Sequence, residues 1–348
     1  MAQTLTGVET MKAAFYKDPH KMSVEEIPYP EPGPGEVTVK VACCGICGTD
    51  YHILEGDFIS PYPLIGGHEF SGTVHSIGEG VSGWSGGERV AVDPSVYCGE
   101  CYHCRNNQFN HCKNWNAIGV TLNGAFAEYV KVPAKNLYRL PDHVSFEEGA
   151  LIEPLSCVAY GLNRVEARFG EKAVIFGGGP MGLMLLQAIK TSGVSEVILV
   201  DIAEQKLELA RQFGATAVYR NDESLDSHIG PGKYPNGFDI VVDATGIPKV
   251  IEGMFRFAGP RARILQFGVA PRDSKISINP FDIYHKDWKY LGSMALMFNF
   301  YQAFFAIEQK RVDIGSLVTR KIGLDEFAVY MASPKDPKDC KVLVYPGR

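Results

Sequence analysis

The sequence has no excess of positive charge and no long apolar run. Its 34 Lys and Arg residues are outnumbered by 40 Asp and Glu residues, so the formal net charge is -6. Proteins that bind nucleic acid or anionic membranes usually present a basic face. No window approaches the length of a membrane span, and the N-terminal MAQTLTGVETMKAAFYK lacks the basic flank and apolar run of a secretory signal. We therefore expect a cytoplasmic protein whose partner is a small molecule, neither a nucleic acid nor a membrane.

The sequence also lacks internal repeats, low-complexity tracts and an even set of cysteines. With 45% hydrophobic and 21% charged residues it has the composition of a folded globular chain. The 9 cysteines are an odd number, which fits a reducing compartment better than a disulfide framework. Clustered cysteines in such a chain indicate metal binding.

A length of 348 residues is too great for one ordinary core and predicts two domains. Residues 1–156 contain short apolar or alternating runs broken by Gly and Pro, which is typical of β-structure, and residues 1–10 are expected to be a loose extension. Residues 157–293 alternate strands with amphipathic helices, which predicts an α/β, doubly wound parallel sheet. Residues 294–348 are too few for a domain and are expected to return to the first one.

A glycine-rich turn, GGGPMG at 177–182, lies between the predicted strand KAVIFG and a predicted helix. Gly177, Gly179 and Gly182 have the G-x-G-x-x-G spacing that permits a tight turn, close approach of a pyrophosphate and close packing of helix on strand. The helix that begins at Pro180 and Met181 would direct free N–H groups at the phosphates. This context predicts a dinucleotide site; the alternative is a plain strand–helix turn.

Asp201 closes the next strand, EVILVD, where a carboxylate can accept hydrogen bonds from the ribose hydroxyls of the cofactor. A 2'-phosphate would meet a like charge there, and the next residues are Ile202 and Ala203 rather than an arginine. We therefore expect NAD rather than NADP. Thr245, after the strand in FDIVVDATG, is a further candidate cofactor-binding residue.

The segment YCGECYHCRNNQFNHC holds four cysteines with the spacing C-x2-C-x2-C-x7-C. Four thiolates fill a tetrahedral zinc shell and leave no position for water or substrate, so the predicted site is structural. Iron–sulfur ligation uses the same residue type but nothing nearby suggests electron transfer, and four reduced thiols without a metal would oxidise. The predicted ligands are Cys98, Cys101, Cys104 and Cys112.

Three further segments, CGICGTDYH, GGHEF and LIEPLS, resemble the zinc-containing medium-chain dehydrogenase/reductase family, as does GEGVSGWSGGERV at 78–90. VSFEEGALIEPLS at 144–156 is most similar to the polyol (sorbitol-type) dehydrogenase branch. The resemblance extends from Met11 to the last strand and includes both zinc motifs and the nucleotide turn. It implies a GroES-like β-rich catalytic domain built from both ends of the chain, a Rossmann domain, and a homodimer or homotetramer.

The resemblance also implies the residues of the reactive site. Cys47, His68 and Glu69 would bind a catalytic zinc, and Glu153 would complete its shell or hold the zinc-bound water, for two zinc ions per chain. Thr49 would receive the hydroxyl proton of the substrate, and His52 could pass it to solvent; the alternative for His52 is a residue that faces ribose or water.

The implied reaction is hydride transfer from a secondary alcohol, a polyol or diol, to NAD, which gives a ketone or ketose. The alternatives are an L-threonine 3-dehydrogenase-like or butanediol-type enzyme and a non-catalytic NAD- and zinc-binding protein. Polyol enzymes of the family recognise sugar hydroxyls with an Arg-Tyr pair, and Ala295 and Leu296 stand at those places. This departure argues against a long polyol and leaves three alternatives: a smaller or less hydroxylated secondary alcohol, a diol, and a differently oriented polyol.

Overall fold

The structure, a computed structural model, describes residues 9–348 and divides into two compact units. Unit 1 comprises the chain up to Pro154 together with Ile314–Arg348, and unit 2 comprises Leu155–Asp313. Residues 1–8 of the expected N-terminal extension lie outside the described part, and the first strand begins at Thr10. Among residues 9–348, no helix combines the length and the apolar character needed to cross a membrane.

The elements up to residue 150 are mostly short strands. The strands are β1 (Thr10–Asp18), β2 (Lys21–Pro28), β3 (Glu36–Gly45), β4 (Leu64–Ile65), β5 (Glu69–Ile77), β6 (Arg89–Val92), β7 (Ser95–Val96), β8 (Asn116–Ala117), β9 (Tyr129–Pro133) and β10 (Leu137–Arg139). The helices are α1 (Gly48–Glu55), α2 (Tyr102–Arg105) and α3 (Phe146–Ala150), with 3-10 turns at Phe109–His111 and Ala134–Asn136.

The rest of the chain alternates helices with strands and then returns to unit 1. Its elements are α4 (Ile152–Val165), β11 (Lys172–Phe176), α5 (Pro180–Thr191), β12 (Glu196–Asp201), α6 (Glu204–Gln212), β13 (Ala217–Arg220), α7 (Leu225–Ile229), β14 (Phe238–Asp243), α8 (Pro248–Met254), a 3-10 turn (Phe255–Phe257), β15 (Ala258–Gln266), α9 (Pro280–His285), β16 (Lys289–Gly292) and α10 (Phe300–Glu308). The C-terminal segment that belongs to unit 1 contains a 3-10 turn (Gly315–Leu317), β17 (Val318–Gly323), α11 (Leu324–Ala332) and β18 (Lys341–Tyr345).

Unit 1 is built around β3, which lies in the middle of a largely antiparallel sheet with the order β10-β6-β5-β3-β18-β17. The last strand of the chain, β18, is antiparallel to β3, with Leu343 opposite Gly45 and Val344 opposite Cys44. Smaller sheets, β2-β1-β4 and β7-β8, complete the unit. β3 has hydrogen-bonded partners on both edges, and its apolar side chains Val37 and Val39 are fully buried in the core.

Unit 2 contains a parallel sheet in the order β13-β12-β11-β14-β15-β16. Its central strand β11 is buried from Ala173 to Phe176, as expected for a parallel strand that is covered on both faces. The strand order reverses between β11 and β14, and ligands of such sheets bind beyond the carboxyl ends of the strands at that point. The predicted α/β, doubly wound parallel sheet is therefore confirmed.

The chain leaves unit 2 at Asp313, some way beyond residue 293, where the sequence predicted the return. The physical reason is the packing of α10, which buries Phe300, Ala303 and Ile307. The segment ends in a two-way hydrogen bond: the Gln187 side-chain amide donates to the Asp313 carbonyl at 3.0 Å and accepts from the Asp313 N–H at 2.7 Å. These contacts keep α10 and the residues up to Asp313 in unit 2.

Two glycines of the glycine-rich turn test how closely α5 packs against the end of β11. A Cβ at Gly182 would lie 1.8 Å from the Gly177 carbonyl oxygen, whereas a Cβ at Gly179 would meet nothing within 4 Å. We expect Gly182→Ala to lower the free energy of unfolding by about 1–3 kcal/mol, the usual cost of overpacking, and Gly179→Ala to leave it nearly unchanged. Thermal and urea unfolding measure both. Equal stability of the two variants would contradict the close approach of α5 to β11.

Candidate active site

Cys47, His68 and Glu69 meet in unit 1, although 20 residues of sequence separate the first two. Each offers one ligand atom, and these atoms all lie within 4.8 Å of one another. Cys47 directly precedes α1, and Glu69 is the first residue of β5, where it is opposite Gly45 of β3. The pairing of β3 with β5 therefore brings the thiol and the carboxylate together.

Two glycines keep this place open for the ligands. Gly67 has φ +92°, and a Cβ there would lie 2.8 Å from the Cys44 sulfur and 2.7 Å from the Phe126 nitrogen. A Cβ at Gly45 would lie 2.2 Å from Oε2 of Glu69, so the carboxylate occupies the space that a side chain would need. The glycine of GGHEF and the glycine of CCGIC are therefore requirements of the site's geometry.

Asp50, in the first turn of α1, connects the cluster members. It is fully buried; its Oδ2 accepts the Cys47 N–H at 2.8 Å, and its Oδ1 lies 4.0 Å from Nδ1 of His68. A carboxylate beside the imidazole of a metal ligand is the usual arrangement that orients the ring. Asp50 thus holds the start of the helix and faces the histidine.

The site concentrates negative charge away from water. Burial raises the pKa of Asp50 to about 6 and that of Glu153 to about 7. Burial opposes protonation of His68, yet the Cys47 thiolate and the Asp50 carboxylate raise its pKa well above the ordinary value. A cation placed among these groups would relieve the repulsion between them.

The residues present fit a zinc ion. Thiolate, imidazole and carboxylate are standard zinc ligands, and a site with few protein ligands leaves a coordination position open. Within the described part of the chain, Nδ1 of His68, Oδ1 of Asp50 and both carboxylate oxygens of Glu69 are buried and have no hydrogen-bond partner. Buried polar atoms without partners are costly, and a metal ion would satisfy the ligand atoms among them.

The remaining predicted residues surround this cluster. Glu153 is buried and its carboxyl feels the charges of His68 and Glu69, but it is not in the group within 4.8 Å. Thr49 Oγ1 lies 3.7 Å from the Cys47 sulfur. His52 is one turn further along α1, and its Nδ1 lies 3.1 Å from both carboxylate oxygens of Asp57.

The four cysteines of the second motif also converge. The sulfur atoms of Cys98, Cys101, Cys104 and Cys112 lie within 4.8 Å of one another, and four of their separations are 3.5–4.0 Å. A tetrahedron with Zn–S bonds of about 2.3 Å has edges of about 3.8 Å, whereas a disulfide would need about 2.05 Å. All four are free thiols that fit a closed zinc shell.

Backbone N–H groups are directed at the sulfur atoms of Cys101 and Cys112, whereas burial raises the pKa of Cys104 to about 12. Hydrogen bonds from Cys104 and Lys113 lower the pKa of Cys101 to about 6, and Asn114 N–H donates to the Cys112 sulfur at 3.3 Å. His103, by contrast, lies 3.0 Å from the Gln108 side chain, and neither His103 nor His111 belongs to the cysteine cluster among the residues described.

In unit 2 the predicted nucleotide residues occupy the carboxyl ends of β11, β12 and β14. Gly177 follows β11 with φ +109°, and α5 begins at Pro180, followed by Met181. Asp201 ends β12 and accepts the Gly178 N–H at 2.6 Å and the Ala203 N–H at 2.9 Å. The acidic residue therefore shapes the glycine turn.

Thr245 follows β14 and depends on a residue that sequence reasoning missed. The buried Asp243 accepts hydrogen bonds from Thr245 N and Oγ1, at 2.9 and 2.6 Å, and from Gly246 N at 3.1 Å. The glycine after Thr245 in FDIVVDATG was the available signal, because Asp beside Thr and Gly is typical of such turns.

Lys341 is the second residue that the sequence did not reveal. It begins β18, is 3% exposed, and its ammonium contacts the Glu69 carboxylate and donates to the Ile46 carbonyl at 2.9 Å. In the sequence, a lysine at the start of KVLVYP is typical of the exposed end of a strand. Only the antiparallel pairing of β18 with β3 brings it into the interior.

Comparison with known proteins agrees with both halves of this description. The Alcohol dehydrogenase GroES-like domain matches residues 33–142, and the Zinc-binding dehydrogenase domain matches residues 180–308. D-arabinitol dehydrogenase 1 of Uromyces fabae is 32% identical over 99% of both chains. D-altritol 5-dehydrogenase of Agrobacterium fabrum is 34% identical, over 95% of this chain and 98% of the relative.

A solved structure from Sinorhizobium meliloti 1021, described as a zinc-binding dehydrogenase bound to NADP, superposes with a TM-score of 0.94 at 35% identity, over 97% of this chain and 99% of that one. The GroES-like and Rossmann-type folds implied by the resemblance are thus confirmed. The chain belongs to the zinc-containing medium-chain dehydrogenase/reductase family, in its polyol dehydrogenase branch, and is an oxidoreductase that acts on CH–OH groups.

Proposed function

We propose that the protein oxidises a secondary alcohol, a small polyol or diol, to a ketone or ketose with NAD as hydride acceptor and one catalytic and one structural zinc ion. The observation that carries the proposal is the buried cluster of Cys47, His68 and Glu69, whose ligand atoms lie within 4.8 Å of one another. A non-catalytic relative would have no need of this cluster in addition to the four-cysteine site.

Cys47, His68 and Glu69 would hold the catalytic ion, with Glu153 as a further ligand or as a contact through water. When bound, zinc supplies Lewis acidity, which lowers the pKa of a substrate hydroxyl. Asp50 would keep the ligands in place, and Gly45 and Gly67 leave the space that a larger side chain would occupy. Cys98, Cys101, Cys104 and Cys112 would hold the structural ion, which has no open position.

The proton of the alcohol has a path along α1. Thr49 Oγ1 lies next to the Cys47 sulfur, so it can accept a hydrogen bond from a hydroxyl bound at the cluster. His52 follows on the same helical face, because residues three apart lie on one side of a helix. The Asp57 carboxylate fixes the ring of His52, which is how a proton-transfer histidine is usually oriented.

Asp201 supports NAD as the cofactor. Its carboxylate lies at the end of β12 beside the glycine turn, and a 2'-phosphate there would be repelled. The Sinorhizobium relative is bound to NADP, so cofactor choice in this chain depends on its own residues. The resemblance to the family also supports a homodimer or homotetramer.

The segment after β16 supports a smaller alcohol over a long polyol. Leu296 is 4% exposed and therefore packs in unit 2 rather than binding substrate. Met294 and Phe298 are 45% and 49% exposed, and Phe298 has φ +56°. A bulky residue in the left-handed region is strained, and such strain gathers at ligand-binding places. Apolar side chains here would favour a substrate with few hydroxyls.

A substrate panel tests the function directly. We expect NADH absorbance to rise with secondary diols and short polyols, and kcat/KM for L-threonine to be lower by roughly tenfold or more, because the apolar segment leaves a charged amino acid unpaired. Turnover of L-threonine without turnover of any polyol or diol would contradict the proposal. No turnover with any member, in protein that contains both zinc ions, would favour the non-catalytic alternative.

Loss of one ligand separates the two metal sites. Cys47→Ser should reduce bound zinc from about two to about one per chain and lower kcat by on the order of a thousandfold or more, because the hydroxyl is no longer polarised. NAD binding should persist, since Cys47 belongs to unit 1 and the glycine turn to unit 2. Cys157→Ser is the control, because it changes a free cysteine that belongs to neither cluster among the described residues. Metal analysis, turnover and NAD titration provide the readouts, and near-normal turnover of Cys47→Ser would refute the assignment.

Asp201→Ala tests cofactor recognition. Hydrogen bonds to a charged group are each worth about 1.5–3 kcal/mol, so the Kd for NAD should rise roughly tenfold or more, while the zinc content stays the same. Glu204→Ala removes a nearby exposed carboxylate that pairs with Arg211 and serves as control. Calorimetric titration with NAD and NADP measures the change; an unaltered NAD affinity would remove Asp201 from the site.

A further inference from the structure

The last turn of α1 and the two residues after it bring one histidine and two carboxylates together. His52, Glu55 and Asp57 each offer one ligand atom, and these atoms all lie within 4.8 Å of one another. The group shares no residue with either of the proposed zinc sites. The His52 side chain is partly buried, whereas both carboxylates are exposed. An ion can therefore reach this group directly from solvent.

The backbone sets the spacing of these side chains. α1 ends at Glu55, and Gly56 then turns the chain with φ +82°. The N–H groups of Gly56 and Asp57 both donate to the His52 carbonyl, at 3.1 and 3.2 Å, so the chain folds back and places Asp57 beside the His52 ring. A Cβ at Gly56 would lie 2.8 Å from Pro19, so a larger residue would clash at this turn. The arrangement is thus formed before any ion binds.

The distances suit a transition-metal ion. Nδ1 of His52 lies 3.1 Å from each carboxylate oxygen of Asp57. Two ligand atoms that bind one zinc ion at about 2.0–2.2 Å are roughly 3.0–3.5 Å apart, so the imidazole and one carboxylate oxygen already have the separation of neighbouring ligands. One imidazole with two carboxylates is a donor set for zinc and similar metals, whereas magnesium prefers oxygen ligands.

The local charge also attracts a cation. The group lies at the C-terminal end of α1, where the last carbonyls of a helix carry partial negative charge. Glu55 and Asp57 add two carboxylates there. Burial and the negative charges of Asp57 and Asp18 raise the pKa of the Tyr62 hydroxyl, which shows that the carboxylates act on their surroundings. A divalent ion would offset this charge.

We propose that His52, Glu55 and Asp57 bind an additional, exchangeable zinc ion, or a similar transition-metal ion, which inhibits the enzyme by occupying Nδ1 of His52. The inhibition rests on the proposed function, in which His52 passes the substrate proton from Thr49 to solvent. A ring nitrogen bound to a metal has no lone pair for a proton. Because the carboxylates are exposed, this ion binds more weakly than the two resident ions and leaves on dialysis.

Zinc binding is tested with Glu55→Gln and a control, Glu79→Gln. Both substitutions remove one exposed carboxylate, but Glu79 lies in the turn after β5 and belongs to no metal-ligating group within residues 9–348. The full-length protein with its resident zinc is dialysed against a series of zinc concentrations, and bound metal is determined per chain. We expect one additional zinc in the parent and in Glu79→Gln, with affinity lower by roughly tenfold or more in Glu55→Gln because a ligand is lost.

Turnover tests the inhibition. Without added zinc, Glu55→Gln should have the parental kcat, because Glu55 has no part in the proton path. Zinc at a saturating concentration should lower kcat of the parent and of Glu79→Gln by roughly tenfold or more, as expected when a proton-transfer group is blocked. The same concentration should leave Glu55→Gln largely active. Magnesium should have no effect on any of the three proteins.

Three results would overturn the proposal. The parent could bind no additional zinc; all three proteins could bind it equally, which would indicate an adventitious ion only; or the ion could bind without any loss of turnover. Failure of the proposed function looks different. A parent protein that oxidises no alcohol would still bind the additional zinc through Glu55, since the three ligands and their spacing do not depend on the catalytic site.

Discussion

The architecture of unit 1 depends on the burial of several acidic groups in one place. Cys47, Glu69, Asp50 and Glu153 are gathered around His68, and burial of this much negative charge is costly unless the groups are protonated or paired with cations. The chain provides one cation of its own, the ammonium of Lys341, and leaves ligand atoms for another. The glycines of CCGIC and GGHEF, the start of α1 and the pairing of β3 with β18 are the local means by which this charge is held together.

The two cysteine-containing sites differ in how the sequence encodes them. Cys98, Cys101, Cys104 and Cys112 come from one short segment, with backbone N–H groups of the same segment directed at the sulfurs, so the site can form locally. The cluster of Cys47, His68 and Glu69 exists only when separate strands have paired. In the proposed function, the four-cysteine motif would stabilise a loop, and the dispersed set would offer a coordination position to a substrate.

Much of this could be predicted from the sequence, because the signals are local. The strand, glycine turn and helix around GGGPMG, the acid at Asp201, and the cysteine spacing each depend on neighbouring residues, and the family resemblance added the dispersed ligands. The burial of Lys341 beside Glu69 and the exit from unit 2 at Asp313 depend on contacts between residues far apart in sequence. A charged strand end and an aromatic helix carry no mark of where they will pack, so periodicity could not locate them.

The position of β18 has a consequence for the order of events during synthesis. Unit 2 is continuous in sequence from Leu155 to Asp313, and its sheet can be completed before the ribosome reaches the last strand. Unit 1 is discontinuous, and Glu69 waits for a partner that is translated more than 250 residues later. The Glu69 carboxylate is thus made in the first half of that unit and is among the last of its groups to meet a cation of the chain, which leaves nascent chains dependent on solvent or on a free ion until the C-terminal strand arrives.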